Sequence, residues 1–141
     1  MNETHRLAQL LVACWRMGGD DRRIPTSRGL LDRALKAVVD KDVFPEWARD
    51  RLHFVDSRIG LQCAELPGIL EWAQRSQLTT APNPSYETTE VQISERVARR
   101  LLSSLGVSSG DGIAWGEALR AEIERAADEL SKFECTRIED Y

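Results

Sequence analysis

The chain has 141 residues, 42% of them hydrophobic and 30% charged, which supplies one self-supporting core and lies far from the composition of a disordered chain. Its formal charge of -4 sets the molecule as a whole against polyanions, and its three cysteines have neither the even count nor the close spacing of a disulfide framework or a zinc site. No apolar run approaches the roughly 20 residues of a bilayer-crossing helix, and the N-terminus lacks the pattern of a secretory leader, so a cytoplasmic protein with no membrane association is expected.

Leu7, Leu10, Leu11 and Cys14 recur at helical spacing before Gly18-Gly19, which predicts a first helix over residues 5–17. A polar stretch follows. Pro25-Thr26-Ser27 then resembles a helix start, and Leu30, Leu31, Ala34, Leu35, Val38 and Val39 form one apolar face of a second helix. Pro45 suits the first turn of a third helix, with Ala48, Leu52, Val55 and Ile59 down one side and Gly60 as its end. Leu61 to Leu66 reads as a connector, and Pro67 introduces a short fourth helix carrying Ile69, Leu70, Trp72 and Ala73. The two Pro-led starts share a Glu-Trp-Ala core, Glu46-Trp47-Ala48 and Glu71-Trp72-Ala73, at different distances from the proline, which argues for convergence and not for a repeat.

Pro82 and Pro84 mark residues 79–85 as a linker between subassemblies 1–80 and 86–135 of one domain, 1–141. A strand over residues 86–91 would have no partner and is not expected to persist. Thr89 and Gln92 have capping-box spacing ahead of Val97, Ala98, Leu101, Leu102 and Leu105, with Gly106 at the C-terminal end. Ser108, Ser109 and Asp111 offer caps for a last helix, to about Lys132, whose apolar line is Trp115, Leu119, Ile123, Ala126, Leu130 and Phe133. The expected fold is an all-α compact bundle of five to six helices, the last two forming an antiparallel hairpin against the first half.

Chemistry is hard to find along this chain. His5 and His53 lack partners at metal-ligand spacing, Cys14 sits in the apolar stripe of the first helix, where a thiol behaves as a small hydrophobe, and neither Cys63 nor Cys135 has a neighbouring histidine in sequence. The glycine-rich loop 106–112 lacks the Gly-Lys-Ser/Thr ending of a phosphate loop, and Asp20-Asp21 and Asp40 with Asp42 are spaced like solvated turn residues. Accordingly no catalytic, cofactor-binding or metal-binding residue is assigned, no cofactor is implied, and an enzyme has no positive support. Residues 111–141 carry nine acids against four bases, a poor surface for phosphate.

Two features point to binding. Trp15, Trp47, Trp72 and Trp115 supply four of the nine aromatic residues, and tryptophan is enriched among interface anchors. Arg96, Arg99 and Arg100 gather on the predicted fifth helix, where pairing with Glu95 and with the acidic last helix competes with nucleic-acid contact. The function expected is a non-catalytic protein-interaction module, a subunit, adaptor or regulator of a cytoplasmic complex whose partner is another protein or a second copy. The alternative is a helix-turn-helix-like DNA- or RNA-binding regulator using the arginine trio, and a small-molecule-binding or catalytic helical protein comes third.

Overall fold

A computed structural model describes residues 2–81 and 87–139, with side chains as far as Lys132. The first helix, α1 (Glu3–Met17), begins at Asn2, whose Oδ1 accepts from the His5 N–H at 3.0 Å and so satisfies one orphan amide of the first turn. Leu7, Ala8 and the unbroken run Leu10 to Trp15 are buried. A helix apolar on nearly every side must be enclosed, and α1 packs against α4 (Leu66–Arg75), α5 (Glu95–Ser104) and α6 (Ser109–Glu139). The buried residues from Leu7 to Ile123 form one cluster, to which both halves of the chain contribute.

The tightest of these contacts is a crossing of two glycines. Gly18 has φ of -83°, a conformation open to any residue, so backbone freedom does not explain it. Space does. A Cβ on Gly116 would lie 1.9 Å from the Cys14 carbonyl oxygen, and one on Gly18 would lie 2.3 Å from the Gly116 carbonyl carbon, so neither end has room for a methyl group. One turn earlier on α6, a Cβ on Gly112 would lie 2.3 Å from Leu102 Cδ1, which seats α5 against the same helix.

Arg120, one turn beyond the crossing, locks it. Its Nη2 donates to the carbonyls of Trp15 (2.7 Å), Gly19 (3.3 Å) and Asp21 (2.6 Å), and its guanidinium lies 4.2 Å from the centre of the Trp15 ring. A cation among the last carbonyls of α1 also opposes that helix's negative end. Burial lowers the guanidinium's pKa from its ordinary value, yet arginine remains charged.

The structure corrects the all-α expectation: the described residues include two two-stranded antiparallel sheets beside six helices. The first pairs β1 (Arg23–Pro25) with β4 (Thr88–Glu90), so a segment read as unable to find a partner finds one more than 60 residues away. Its other side is also engaged, through Thr80 N–H to the Glu90 carbonyl and Gln92 N–H to the Leu78 carbonyl. Thr79 and Thr80, placed in the linker by sequence, therefore bond to the sheet, while Pro82 to Ser85 lie outside the described residues. Thr89, expected to cap a helix, donates instead to the Thr80 carbonyl, and Ser94 caps α5 by accepting from Val97 N–H.

The second sheet replaces most of the predicted third helix. Only α3 (Glu46–Arg51) is helical; β2 (Phe54–Ser57) and β3 (Gly60–Cys63) then form a hairpin with Phe54 opposite Cys63 and Ser57 opposite Gly60. Gly60 ends no helix; its φ of 110° completes the turn, where Ser57 Oγ accepts from Ile59 N–H and donates to the Gly60 carbonyl. The second helix, α2 (Leu30–Asp40), packs on β3 and on α6. The last two helices do not form a self-contained hairpin either: α5 lies mainly on α1, and α6 lies along α1 and α2.

Gly116→Ala should lower the unfolding free energy by about 3 kcal/mol, the upper range for overpacking. Gly110→Ala, where the nearest atom to a new Cβ is Ser108 Oγ at 4.0 Å, should raise it by about 0.5 kcal/mol through helix propensity. Urea unfolding of both variants checks this; equal midpoints would refute so close a crossing.

Candidate functional site

With the body closed around α1, the part of the molecule that stands apart is the β2–β3 hairpin. Ile59 at its turn is 83% exposed and Val55 on β2 is 56% exposed, the two most exposed large aliphatic side chains among the described residues. Between the hairpin and α4 lies an open groove of about 550 Å³ lined by Thr26, Asp32, Val55, Cys63, Leu66 and Leu70, among others. Its walls are mainly apolar, with a few polar groups among them.

The hairpin is fixed at its base from both sides. Asp32 on α2 accepts from the Cys63 N–H at 2.7 Å, filling the outward-facing donor of β3. Glu65, just before α4, accepts from the His53 N–H at 2.6 Å through Oε1 and from the His53 ring Nδ1 at 2.8 Å through Oε2. Burial pushes the Glu65 carboxyl up, but the two His53 hydrogen bonds outweigh it and hold it below the ordinary carboxylate value.

Cys63 completes this cluster, its Sγ 3.8 Å from Glu65 Oε1. Sequence separation concealed it, because His53 and Cys63 meet only through the hairpin register. The order of contacts is histidine, carboxylate, thiol. A cysteine nucleophile needs a base beside its sulfur, whereas here burial pushes the Cys63 thiol up to about 11 and the carboxylate stands between sulfur and imidazole. The geometry anchors a hairpin and does not assemble a thiolate. Among the described residues neither this cluster nor any other group of three or more His, Cys, Asp or Glu side chains is arranged to hold a metal ion.

No family model, no curated protein and no solved structure matches this chain.

The four tryptophans each join two elements. Trp15 is buried at 3% exposure, donates its indole N–H to the Asp21 carbonyl at 3.0 Å and lies under Arg120. Half-buried Trp47 on α3 lies under the Arg6 guanidinium at 4.2 Å, and half-buried Trp72 on α4 stacks on His5 at 4.4 Å, so α1 holds both helices. Trp115 on α6 meets Phe44 edge-on at 6.3 Å. Phe44 is buried with φ of 76°, a strained value for an aromatic residue, in the turn between α2 and α3; its carbonyl accepts from Arg49 Nε.

Arg96, Arg99 and Arg100 are all exposed on the outer side of α5. Arg99 pairs with Glu95 at 2.7 Å, as its spacing predicts. Arg96 and Arg100 have no ion-pair partner among the described residues, and the buried Glu122 of α6 is engaged instead by Lys41 and, at 2.9 Å, by Arg125. The helix N-terminus in the glycine-rich segment is capped internally, Ser108 Oγ accepting from Asp111 N–H.

Sequence reasoning missed Val55 and Ile59 as surface residues because their spacing from Ala48 and Leu52 mimics a helical stripe. The signal that could have found them is the β-forming Phe54-Val55 pair followed by the turn-forming run from Asp56 to Gly60.

Because the folded pKa of Glu65 lies below the unfolded value near 4.3, its contribution is complete above that pH and is lost as pH falls through the folded pKa. Glu65→Gln should therefore cost about 1 kcal/mol at pH 7, a charged hydrogen bond discounted for partial exposure, and much less at pH 3. Urea midpoints of both proteins at the two pH values test this; a constant difference would contradict it.

The thiols give a second check. Burial pushes Cys14 up to about 12 and Cys63 to about 11, so in a Cys135→Ser background native protein at pH 8 should resist a thiol reagent that labels the urea-unfolded protein at once. Rapid native labelling of Cys63 would show an open hairpin base.

Proposed function

We propose that this protein is a non-catalytic protein-interaction module whose contact surface is the outer side of the β2–β3 hairpin and the groove beside it. One observation carries the reading: Val55 and Ile59 stand 56% and 83% exposed on a hairpin fixed at its base by Asp32 and Glu65. Exposed single aliphatics are common, but two on one short, positioned element beside an apolar-walled groove form a ready-made anchor site. A site whose backbone is already ordered loses little entropy on binding.

The tryptophans support the reading by what they are occupied with. Trp15 is enclosed, and Trp47, Trp72 and Trp115 are covered in part by Arg6, His5 and Phe44, so the least covered large apolar side chains are those of the hairpin. A role as a subunit, adaptor or regulator in a cytoplasmic assembly follows from this reading, not from any chemistry in the site.

A second reading is favoured by one observation. Arg96 and Arg100, four residues apart on one face of α5, are unpaired among the described residues and free to meet phosphate. Against it stand the chain's net charge of -4 and the acidic α6 that follows the turn at Gly106. A nucleic-acid regulator is therefore the weaker proposal.

The experiment pairs a Val55→Ser/Ile59→Ser variant with Arg96→Glu/Arg100→Glu. A protein held in stoichiometric amount by the wild type should be released by the hairpin variant and kept by the arginine variant, with both variants unchanged in urea midpoint. Salt-sensitive retention of nucleic acid that the arginine variant loses, or partner capture indifferent to the hairpin variant, would overturn the proposal.

A further inference from the structure

The hairpin has one edge covered and one edge free, and the register says which backbone groups are left over. Ala64 N–H donates to the His53 carbonyl, so residue pairs exchanging bonds within the hairpin alternate from His53 through Val55 to Ser57. The backbone groups of Phe54 and Asp56 therefore point away from β3. On the other edge Cys63 N–H, the corresponding outward donor, is taken by Asp32. Among the described residues nothing bonds the N–H or C=O groups of Phe54 or Asp56. A free edge of this kind is a template for another strand.

We infer that the free edge of β2 pairs antiparallel with β2 of a second copy about a two-fold axis at Val55, giving a continuous four-stranded sheet. This rests on the hairpin being the contact surface and names its partner. Two observations select a second copy and this register. The first is hydrogen-bond closure: with Val55 on the axis, Phe54 of each copy faces Asp56 of the other, and all four free groups of each copy are used reciprocally, as an isologous interface requires. The exposed Val55 side chains then become direct cross-strand neighbours.

The second is charge. Lys36 Nζ lies 5.7 Å from the centre of the Phe54 ring, and directly opposite residues of an antiparallel pair share a face, so Asp56 of one copy is brought beside Phe54 and Lys36 of the other, twice over. Lys36 already pairs with Asp40 in its own chain and is 42% exposed on its side chain, leaving it open to a second carboxylate. A register centred on Asp56 would instead set two carboxylates directly opposite, which is unfavourable.

The test uses cysteine placement, in a Cys135→Ser background with Cys14 and Cys63 buried. Non-bonded cross-strand pairs have Cα atoms about 4.5 Å apart, within the range a disulfide spans. Val55→Cys should form a covalent dimer on mild oxidation, whereas Ile59→Cys, though more exposed, should not, because this register sets residue 59 opposite residue 51. Sedimentation of the protein with native Val55 should show mass rising with concentration; Asp56→Lys should weaken dimerisation at least tenfold, and adding Lys36→Glu should restore it.

Equal cross-linking at the two positions, no cross-linking at residue 55, or a charge reversal without effect would overturn the self-pairing. Those results would leave the hairpin as the surface for a different protein. Failure of that broader reading has a separate signature, partner capture indifferent to Val55 and Ile59.

Discussion

Everything in this fold depends on the contact between the end of α1 and the first turns of α6, where Gly18 and Gly116 let two backbones meet without side chains between them. Close approach brings the carbonyls at the end of α1 within reach of Arg120, and the same arginine covers the Trp15 ring. A helix as apolar as α1 needs walls on all sides, and the crossing sets the distance of the longest one. From there α6 reaches the end of α2, where the buried Glu122 carboxylate is met by the exposed side chains of Lys41 and Arg125. Losing both cations would leave a buried carboxylate unpaired, which costs more than the pairs contribute.

The remaining walls are held by aromatic side chains. Trp47 and Trp72 bring α3 and α4 against α1 through Arg6 and His5, and Trp115 closes on Phe44 at the turn after α2. Using tryptophan in this way has a consequence for function. Residues that would ordinarily anchor a partner are employed inside the body, and the exposed apolar character passes to the hairpin, whose base is bonded to Asp32 and Glu65 and whose β2 edge is unfilled among the described residues. The elements that hold the core and the surface proposed for recognition thus occupy separate parts of one small chain.

Helical periodicity made five of the six helices legible in the sequence, because Leu7 to Cys14, Leu30 to Val39, Ile69 to Ala73, Val97 to Leu105 and Trp115 to Ala126 all repeat every three to four residues. The strands were not legible, for two different reasons. In the hairpin, Ala48, Leu52, Val55 and Ile59 reproduce a helical stripe by coincidence, and a stripe spacing outweighed the local β preference of Phe54-Val55. For β4, the partner strand is distant in sequence and includes Pro25, and pairing at such range leaves no local trace. The Glu65 cluster was hidden likewise: His53 and Cys63 are ten positions apart and become neighbours only once the chain reverses at Gly60. The role of Gly116 lies in the backbone opposite it, the Cys14 carbonyl, which no local pattern marks.

Residue-resolved amide hydrogen exchange in dilute solution separates a body locked around α1 from a β2 edge that nothing covers among the described residues. The amides from Leu10 to Trp15 should exchange slowest, at the rate of global unfolding, while those of Phe54 and Asp56 exchange as fast as solvated backbone. Protection of Phe54 and Asp56 equal to that of α1 in a dilute monomer would show that the β2 edge is already covered, and exchange of α1 by local opening would show that the body is not locked around it.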